Sequence, residues 1–509
     1  MFNKLSFTVG ILLLTGCGGS SSPTAQSSSS PDPVQFASLR ATVQSQLTSS
    51  NAPAESVAIM KEGEVVFAEA YGKKTHNGGE DVDSETLFQL GSTTKMFTAV
   101  ATLQLVNENV LTLDQSLPSA LPVLALSAEH AAWSDISIQH MLTHQGGFTD
   151  YVDWAPETSL MVHALNNYPN EGGQMNPAGK FFNYSNPYWS YLGAILEYQS
   201  GMPYEQAMKE KVFVPLGMAR TTMTYQDVKD DGNYALGVGQ AVINNEAITL
   251  KADTLEQISQ PTFGKPAGGY TWSTASELVK MGDFLINGNA DVLPTALQHQ
   301  ITSAQVSLQM GLNVDYGYGL FLRDGIDVNN AYYPMEVWEH GGNTLAYTNM
   351  LYVFPEQNVT IAIMSSGQST DFFTSMLAAF RAVADLPAST SRSVMPVATE
   401  LFARHVGDYQ TDDVHVEVTE SSGALIVNLP EFNAAQISYE PELQPIAASA
   451  FLITLDTEQV DITFIPDEED GVSMYIRNRE FVAIRTDSSV TAFKKTSQLS
   501  KKQRMPKLN

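Results

Sequence analysis

A hydroxyl and an amine one helical turn apart are the first chemistry this chain offers. In the run Phe88-Gln89-Leu90-Gly91-Ser92-Thr93-Thr94-Lys95-Met96-Phe97-Thr98-Ala99, a short strand-like apolar segment stops at a glycine and an amphipathic helical segment begins. Residues three apart on a helix share a face, so Ser92, opening the helix, and Lys95 point into the same space. A serine hydroxyl is a weak nucleophile near neutral pH and needs a neighbouring base. An amine serves as that base only if burial or nearby cations lower its pKa, so Lys95 should be enclosed. The helix N-terminus adds unpaired N–H groups and a positive dipole end, suited to the negative charge formed when a serine attacks a carbonyl. No other Ser-x-x-Lys occurs in the chain.

Two later stretches fall in order behind it. Phe181-Phe182-Asn183-Tyr184-Ser185-Asn186-Pro187 places a phenol and an amide two residues apart, which point the same way in an extended or looped segment. Trp338-Glu339-His340-Gly341-Gly342-Asn343 puts a histidine at a strand end with two glycines after it, and glycines there let a ligand approach the backbone.

The elements that must position these groups follow from periodicity. Phe36, Leu39, Val43 and Leu47 recur at helical spacing, and Ser56–Met60 and Glu64–Ala70 read as two strands around the turn Lys61-Glu62-Gly63. From the Ser92 helix to about residue 285 the pattern is mostly helical, with Gly/Pro loops. Strand character returns at 316–322, 336–340, 346–353 and 359–364, before a helix over 372–384. That order predicts one sheet built from both ends of a domain, with a helical insert between and the cleft between sheet and insert. Residues 387–399 read as a linker. From 400 to 495 short alternating segments at 415–418, 424–427, 451–454, 462–465, 473–476 and 481–484 predict a small antiparallel β-barrel, without a catalytic constellation of its own. Residues 496–509 form a basic tail.

At 509 residues the chain is long enough for about two to four domains. Its 43 % apolar and 16 % charged residues are those of a globular protein, and a net charge of −28 argues against nucleic acid as a partner. No His-Glu-x-x-His or Cys/His cluster suggests a metal, and no cofactor is called for. Residues 1–16 read as a signal peptide, too short to span a membrane as a mature helix, and Leu14-Thr15-Gly16-Cys17 resembles a bacterial lipobox. That resemblance implies cleavage before Cys17 and its acylation, making it a membrane anchor. With Gly18 next, and no aspartate, the outer membrane facing the periplasm is the expected location. Residues 17–34, Ser-rich, would be a tether spanning about 20–25 Å.

Ser92/Lys95, Tyr184/Asn186 and His340/Gly342 in this order resemble the signature of the penicillin-recognising serine hydrolases: class C β-lactamases, D-Ala-D-Ala carboxypeptidases, D-aminopeptidases and related esterases. The stretches Ile138–Gly147, Pro215–Met218 and Pro266–Thr274 also look like that superfamily, over residues 35–386 in all. The resemblance implies an α/β fold, a β-lactamase-like sandwich of antiparallel sheet and flanking helices with a helical insert. It implies an acyl-enzyme on Ser92, with Lys95 and Tyr184 sharing the proton transfers and Asn186 holding Lys95. The oxyanion hole would be the N–H groups of Ser92 and Asn343, with His340 orienting Tyr184 or meeting a substrate carboxylate or carbonyl. His144 reads as structural, and Thr274-Ala275-Ser276-Glu277 as a helix capping box. The β-domain looks like the lipocalin-like C-terminal domains of some members, which border the cleft or mediate assembly.

The third motif departs from the Lys-Thr-Gly of efficient class C β-lactamases. A mostly neutral histidine holds a β-lactam carboxylate less well, and Gly341 lacks a hydroxyl that could bind it. The expected substrate is therefore a small molecule or short peptide, foremost a D-amino-acid-containing peptide of cell-wall turnover. A carboxylesterase, a weak β-lactamase and a non-catalytic envelope binding protein stand as alternatives. Homo-oligomerisation stays open.

Overall fold

The computed structural model describes residues 34–486 apart from 149, 151–158, 167–172, 244–245, 260–268, 309–313, 329–330, 392–398, 412–413, 456–457, 468–470 and 480. The signal segment, Cys17, nearly all of the tether, most of the linker and the basic tail lie outside the described residues.

Strand Ala54–Lys61 turns into Glu64–Thr75 through Glu62 and Gly63, both at positive φ (51° and 81°). Two left-handed residues give a turn whose twist matches that of the strands, so this hairpin closes tightly. It joins strands from the far end of the domain in one antiparallel sheet. The order is Gly78–Asp81, Glu64–Thr75, Ala54–Lys61, Val359–Ser365, Thr348–Phe354, Val337–Asn343, Phe321–Arg323, Val314–Tyr316, Val306–Ser307. The two ends of the domain thus meet as neighbouring strands, with Val57 opposite Ile363.

Strand alternation sorts the core onto two faces. Val57, Ile59, Ile361 and Ile363 pack under the helices Ala37–Ser50 and Phe373–Val383, through Phe36, Leu39, Val43, Met376 and Phe380. Ala58, Met60, Ala362 and Met364 turn to the other face. There the helices Thr94–Asn107, Pro187–Ser200 and Ala275–Asn287 contribute Phe97, Val100, Trp189, Leu192, Leu278 and Phe284. Each such buried side chain contributes about 1.5–3 kcal/mol of transfer free energy. This helical face carries the insert, so the cleft falls between sheet and insert.

Three local expectations are corrected. Residues 316–322 are not one strand but a hairpin, Val314–Tyr316 against Phe321–Arg323. A Cβ at Gly317 would lie 2.0 Å from the Ile301 carbonyl oxygen and Gly319 sits at φ 73°, so the glycines force the reversal. The insert also holds a hairpin, Val238–Ile243 with Glu246–Lys251. At Thr274 only half of the capping box forms: its hydroxyl accepts the Glu277 N–H (3.1 Å), while the Glu277 carboxylate accepts from the Thr221 hydroxyl (2.6 Å) and the Arg220 N–H (3.0 Å).

The C-terminal region is a curled eight-stranded antiparallel sheet. It contains the six expected segments and two more, Gly407–Gln410 and Gln444–Pro445. Between its end strands, the Val427 N–H reaches the Pro441 carbonyl and the Leu443 N–H that of Leu425, while the Glu440 N–H bonds to Thr454. The curl encloses Phe402, Tyr409, Leu425, Phe451 and Phe464. Ile465, Tyr475 and Val482 instead pack on Phe181, and the buried Arg477 guanidinium donates to the Leu308 carbonyl (2.5 Å). The curled sheet is therefore docked on the segment that leads into Tyr184.

Candidate active site

Ser92 lies in a single 3-10 turn, Gly91–Thr93, and the α-helix proper begins at Thr94, two residues later than expected. The turn is pinned from three directions. Phe88–Gln89 pairs with Trp272–Ser273, the Leu90 N–H donates to the Thr271 carbonyl (2.7 Å), and the Thr94 and Thr271 hydroxyls meet at 3.0 Å. From the sheet side, the fully buried amide of Asn349 donates to the carbonyl oxygens of Leu90 (2.7 Å) and Gly342 (3.3 Å) and accepts from the Thr93 hydroxyl (2.6 Å). A buried amide with its donors and acceptor used fixes the loop against the strand. The contact is close enough to demand glycine twice. A Cβ at Gly342 would lie 1.6 Å from the Leu90 carbonyl oxygen, and one at Gly91, which sits at φ 54°, would lie 2.8 Å from the Asn343 carbonyl oxygen. The main chain of Asn343 is thereby held beside the residue preceding Ser92. The Asn343 side-chain oxygen is occupied by the Thr348 hydroxyl (2.8 Å).

Lys95 is fully buried. Its Nζ stands 3.0 Å from Ser92 Oγ and donates to Asn186 Oδ1 at 2.8 Å. Burial pushes its pKa well below the usual lysine range; Asp150 opposes this and Arg479 adds to it. An amine whose charged form is disfavoured in this way, with one N–H committed to Asn186 and Nζ against the serine hydroxyl, is placed to serve as a base. Tyr184, partly exposed, is within hydrogen-bonding reach of Ser92, and its ring centroid is 5.0 Å from Lys95 Nζ. Burial pushes its phenol upward, with Arg479 and the Ser92 hydroxyl pulling it back, so Tyr184 keeps its proton at neutral pH. Asn186 sits at the N-cap of the helix Pro187–Ser200.

Behind these groups lies a buried relay of rings. His340 is 1 % exposed; its Nδ1 meets the Gly341 carbonyl at 2.7 Å and its Nε2 the Tyr316 hydroxyl at 3.4 Å. Burial, with Lys95 adding to it, pushes its pKa down to about 3, so the ring is neutral. Of the roles expected of His340, orienting Tyr184 or meeting a substrate carboxylate or carbonyl, the structure shows its nitrogens on Gly341 and Tyr316 rather than on Tyr184, and a neutral ring offers no cation to a carboxylate. A Cβ at Gly341 would meet the flexible Met350 side chain, Sδ at 2.4 Å, and nothing else closer than 3.5 Å. His144 stacks on Tyr184 with ring centroids 4.3 Å apart, and its Nδ1 accepts the Ser185 N–H (2.9 Å). Its Nε2 accepts the Trp189 indole N–H (3.1 Å) and faces the Tyr316 hydroxyl at 3.3 Å. His144 is thus a support under the Tyr184–Asn186 loop.

Two charged residues of the site have no counterpart in the sequence reading. Asp150 Oδ1 accepts from both the main-chain N–H (2.8 Å) and the side-chain amide (3.0 Å) of Asn186. Asp150 Oδ2 accepts from Arg479 Nε at 2.5 Å, and the Arg479 guanidinium lies 4.5 Å from the Tyr184 ring centroid. Arg479 belongs to the C-terminal sheet, which was expected to carry no catalytic constellation of its own and, by its resemblance, to border the cleft or mediate assembly. The signals were slight: an aspartate just beyond Gly146-Gly147, and an Arg-Asn-Arg triplet in an acidic chain.

A buried lysine on a serine, with a phenol and an amide around it, on an antiparallel sheet flanked by helices, defines a serine hydrolase of the β-lactamase and penicillin-binding-protein type. The sequence matches the family described as Beta-lactamase over residues 39–386, and the chain belongs to that family. It is 23 % identical over 444 residues to penicillin-binding protein 4* of Bacillus subtilis (strain 168), covering 83 % of this chain and 93 % of that protein. A solved structure of SurE superposes with a TM-score of 0.64 at 20 % identity, covering 89 % of this chain and 99 % of SurE. The D-amino acid amidase of Ochrobactrum anthropi SV3, complexed with L-phenylalanine amide, superposes with a TM-score of 0.54 at 20 % identity, covering 68 % of this chain and 97 % of the amidase.

Proposed function

We propose that this hydrolase cleaves small amides, foremost D-amino-acid-containing peptides, through an acyl-enzyme on Ser92 in the bacterial envelope. The observation that carries the mechanism is the fully buried Lys95, its Nζ 3.0 Å from Ser92 Oγ and held by Asn186. Lys95 takes the serine proton as the hydroxyl attacks the carbonyl. Tyr184, still protonated, delivers its proton to the departing amine and is reprotonated by Lys95, which returns the proton it took from Ser92. The N–H groups of Ser92 and Asn343 receive the oxyanion. His340, with Tyr316 and His144, holds the floor beneath Tyr184.

Support for the amide class comes from the relatives, a penicillin-binding protein matched over most of its length and a D-amino acid amidase of the same fold. A β-lactam is disfavoured because His340 is uncharged and offers no cation to the drug's carboxylate. Envelope anchoring rests on Leu14-Thr15-Gly16-Cys17. Labelled palmitate should enter the full-length chain, and Cys17→Ala should abolish it; equal labelling of both would refute the anchor.

The decisive test is an initial-rate panel on the chain lacking residues 1–17: a D-Ala-terminated peptide, D-phenylalanine amide, p-nitrophenyl butyrate and nitrocefin, each beside Ser92→Ala. Turnover of the D-configured amides that vanishes in Ser92→Ala is expected. Ester turnover with both amides untouched makes the protein a carboxylesterase, and rapid nitrocefin hydrolysis overturns the argument from His340.

A further inference from the structure

Asp150 sets a problem for the chemistry just described. Its carboxylate is needed where it is: taking both the N–H and the amide NH2 of Asn186, it fixes the amide so that Oδ1, not Nδ2, faces Lys95. Without it the amide could turn over and present donors to an amine that must donate. Yet a carboxylate near an enclosed lysine stabilises the protonated ammonium, which cannot act as a base, and the low-dielectric surroundings strengthen that effect. Among the described residues, the groups facing Lys95 include Ser92 on its own turn, Tyr184, Asn186, the Trp189 ring, the neutral rings of His144 and His340, Asp150 and Arg479. Among them Arg479 carries the positive charge that answers Asp150.

We propose that Arg479, on the turn between the C-terminal strands Ser473–Arg477 and Val482–Arg485, is a positioning residue of the acylation step. It seats Asp150 on Asn186 while cancelling the carboxylate's pull on the Lys95 proton. The inference rests on Ser92 and Lys95 acting as nucleophile and base. The Nε–Oδ2 contact spans 329 residues of sequence, and the guanidinium also lies against the Tyr184 ring. Asp150 is 9 % exposed at its side chain, so Arg479 shields it from water on the C-terminal side. The curled sheet is thereby a part of the catalytic machinery, and the activity of the N-terminal domain depends on its docking.

The test uses the chain lacking residues 1–17, both domains intact, with a fluorophosphonate probe of Ser92 and p-nitrophenyl acetate as readouts, each followed from pH 5 to 10. The rate rises with pH as Lys95 loses its proton. In Arg479→Ala, Asp150 is unopposed, and this ascending limb should move up by about one pH unit, lowering kcat/KM on the limb about tenfold, through kcat. Arg479→Lys keeps the charge and should keep the limb. Adding Asp150→Asn to Arg479→Ala removes the unopposed carboxylate and should bring the limb back down to its parental position. Lys180→Ala breaks another bridge between the domains, that to Asp467 (2.7 Å), and should titrate as the parent does. Loss of docking alone would lower thermal stability and labelling at every pH without shifting the limb. A limb unmoved by Arg479→Ala, or one that stays displaced when Asp150→Asn is added to Arg479→Ala, overturns the proposal. Labelling and hydrolysis that survive Ser92→Ala instead overturn the nucleophile assignment, and this inference with it.

Discussion

Two adjacent glycines make opposite predictions. An alanine Cβ at Gly342 would sit 1.6 Å from the Leu90 carbonyl oxygen and 2.9 Å from Asn349 Nδ2. To reach the 3.4 Å at which ordinary contact begins, strand and loop must part by about 1.8 Å, and neither atom is the free end of a flexible side chain. Leu90 is two residues before Ser92, and its carbonyl is one of those Asn349 holds, so the displacement passes to the nucleophile and to the Asn343 N–H together. A misplacement of about 1 Å can cost about 100-fold in rate. Gly342→Ala should therefore lower kcat/KM for the best substrate of the panel by at least about 100-fold, near 3 kcal/mol of transition-state stabilisation, while overpacking costs about 1–3 kcal/mol of stability. At Gly341 the Cβ instead meets Met350 Sδ at 2.4 Å and nothing else closer than 3.5 Å. A methionine tip can rotate away, so Gly341→Ala should stay within about threefold of the parent. The assay is steady-state hydrolysis with fluorophosphonate labelling, on variants whose melting shows a cooperative fold. Gly342→Ala within fivefold of the parent, or equal losses in both variants, would refute the claim that loop-to-strand contact sets the geometry of Ser92.

Lys95→Ala and Tyr184→Phe should each lower turnover by about 10²–10⁴ with the melting temperature little lowered for Tyr184→Phe; near-parental rates in both would sink the acylation mechanism. Activity should rise with pH through the depressed Lys95 pKa, so a rate that falls from pH 6 to 8 would contradict a neutral lysine base. Away from the cleft, Glu55 is fully buried, one carboxylate oxygen unpartnered and the other accepting from Gln46 (3.2 Å), and burial pushes its pKa up to about 8. The folded state then holds a proton that the unfolded chain releases near 4.5, so this group's stabilisation is full below that pH and is lost as pH rises through 8. Glu55→Gln should flatten this fall, by up to a few kcal/mol at pH 9 in denaturant titrations; an unchanged pH slope would show that the carboxyl ionises freely in the fold.

The site was legible where its chemistry is local in sequence. Ser92 and Lys95 are one helical turn apart, Tyr184 and Asn186 two residues apart, and His340, Gly342 and Asn343 lie on one strand end; these spacings survive folding because each is fixed by the geometry of one element. The strands were legible too, because residues 56–60 and 359–364 are short apolar runs, as befits strands buried on both faces of the sheet. What failed at 316–322 was the reading of two glycines, whose reversal is dictated by contact with Ile301, a residue outside the segment. Asp150 and Arg479 are the sharper case. Neither has a neighbour in sequence that explains it, and an exposed arginine on a turn is most simply a solvated one. Their meaning arises only once a sheet of one domain is curled, docked through Phe181, Ile465, Tyr475 and Val482, and brought against the Tyr184 loop. A short motif records the groups that must stay a fixed distance apart along the chain. The charge balance that makes the lysine of that motif a base is set by docking, and is written in residues whose spacing along the chain carries no information about it.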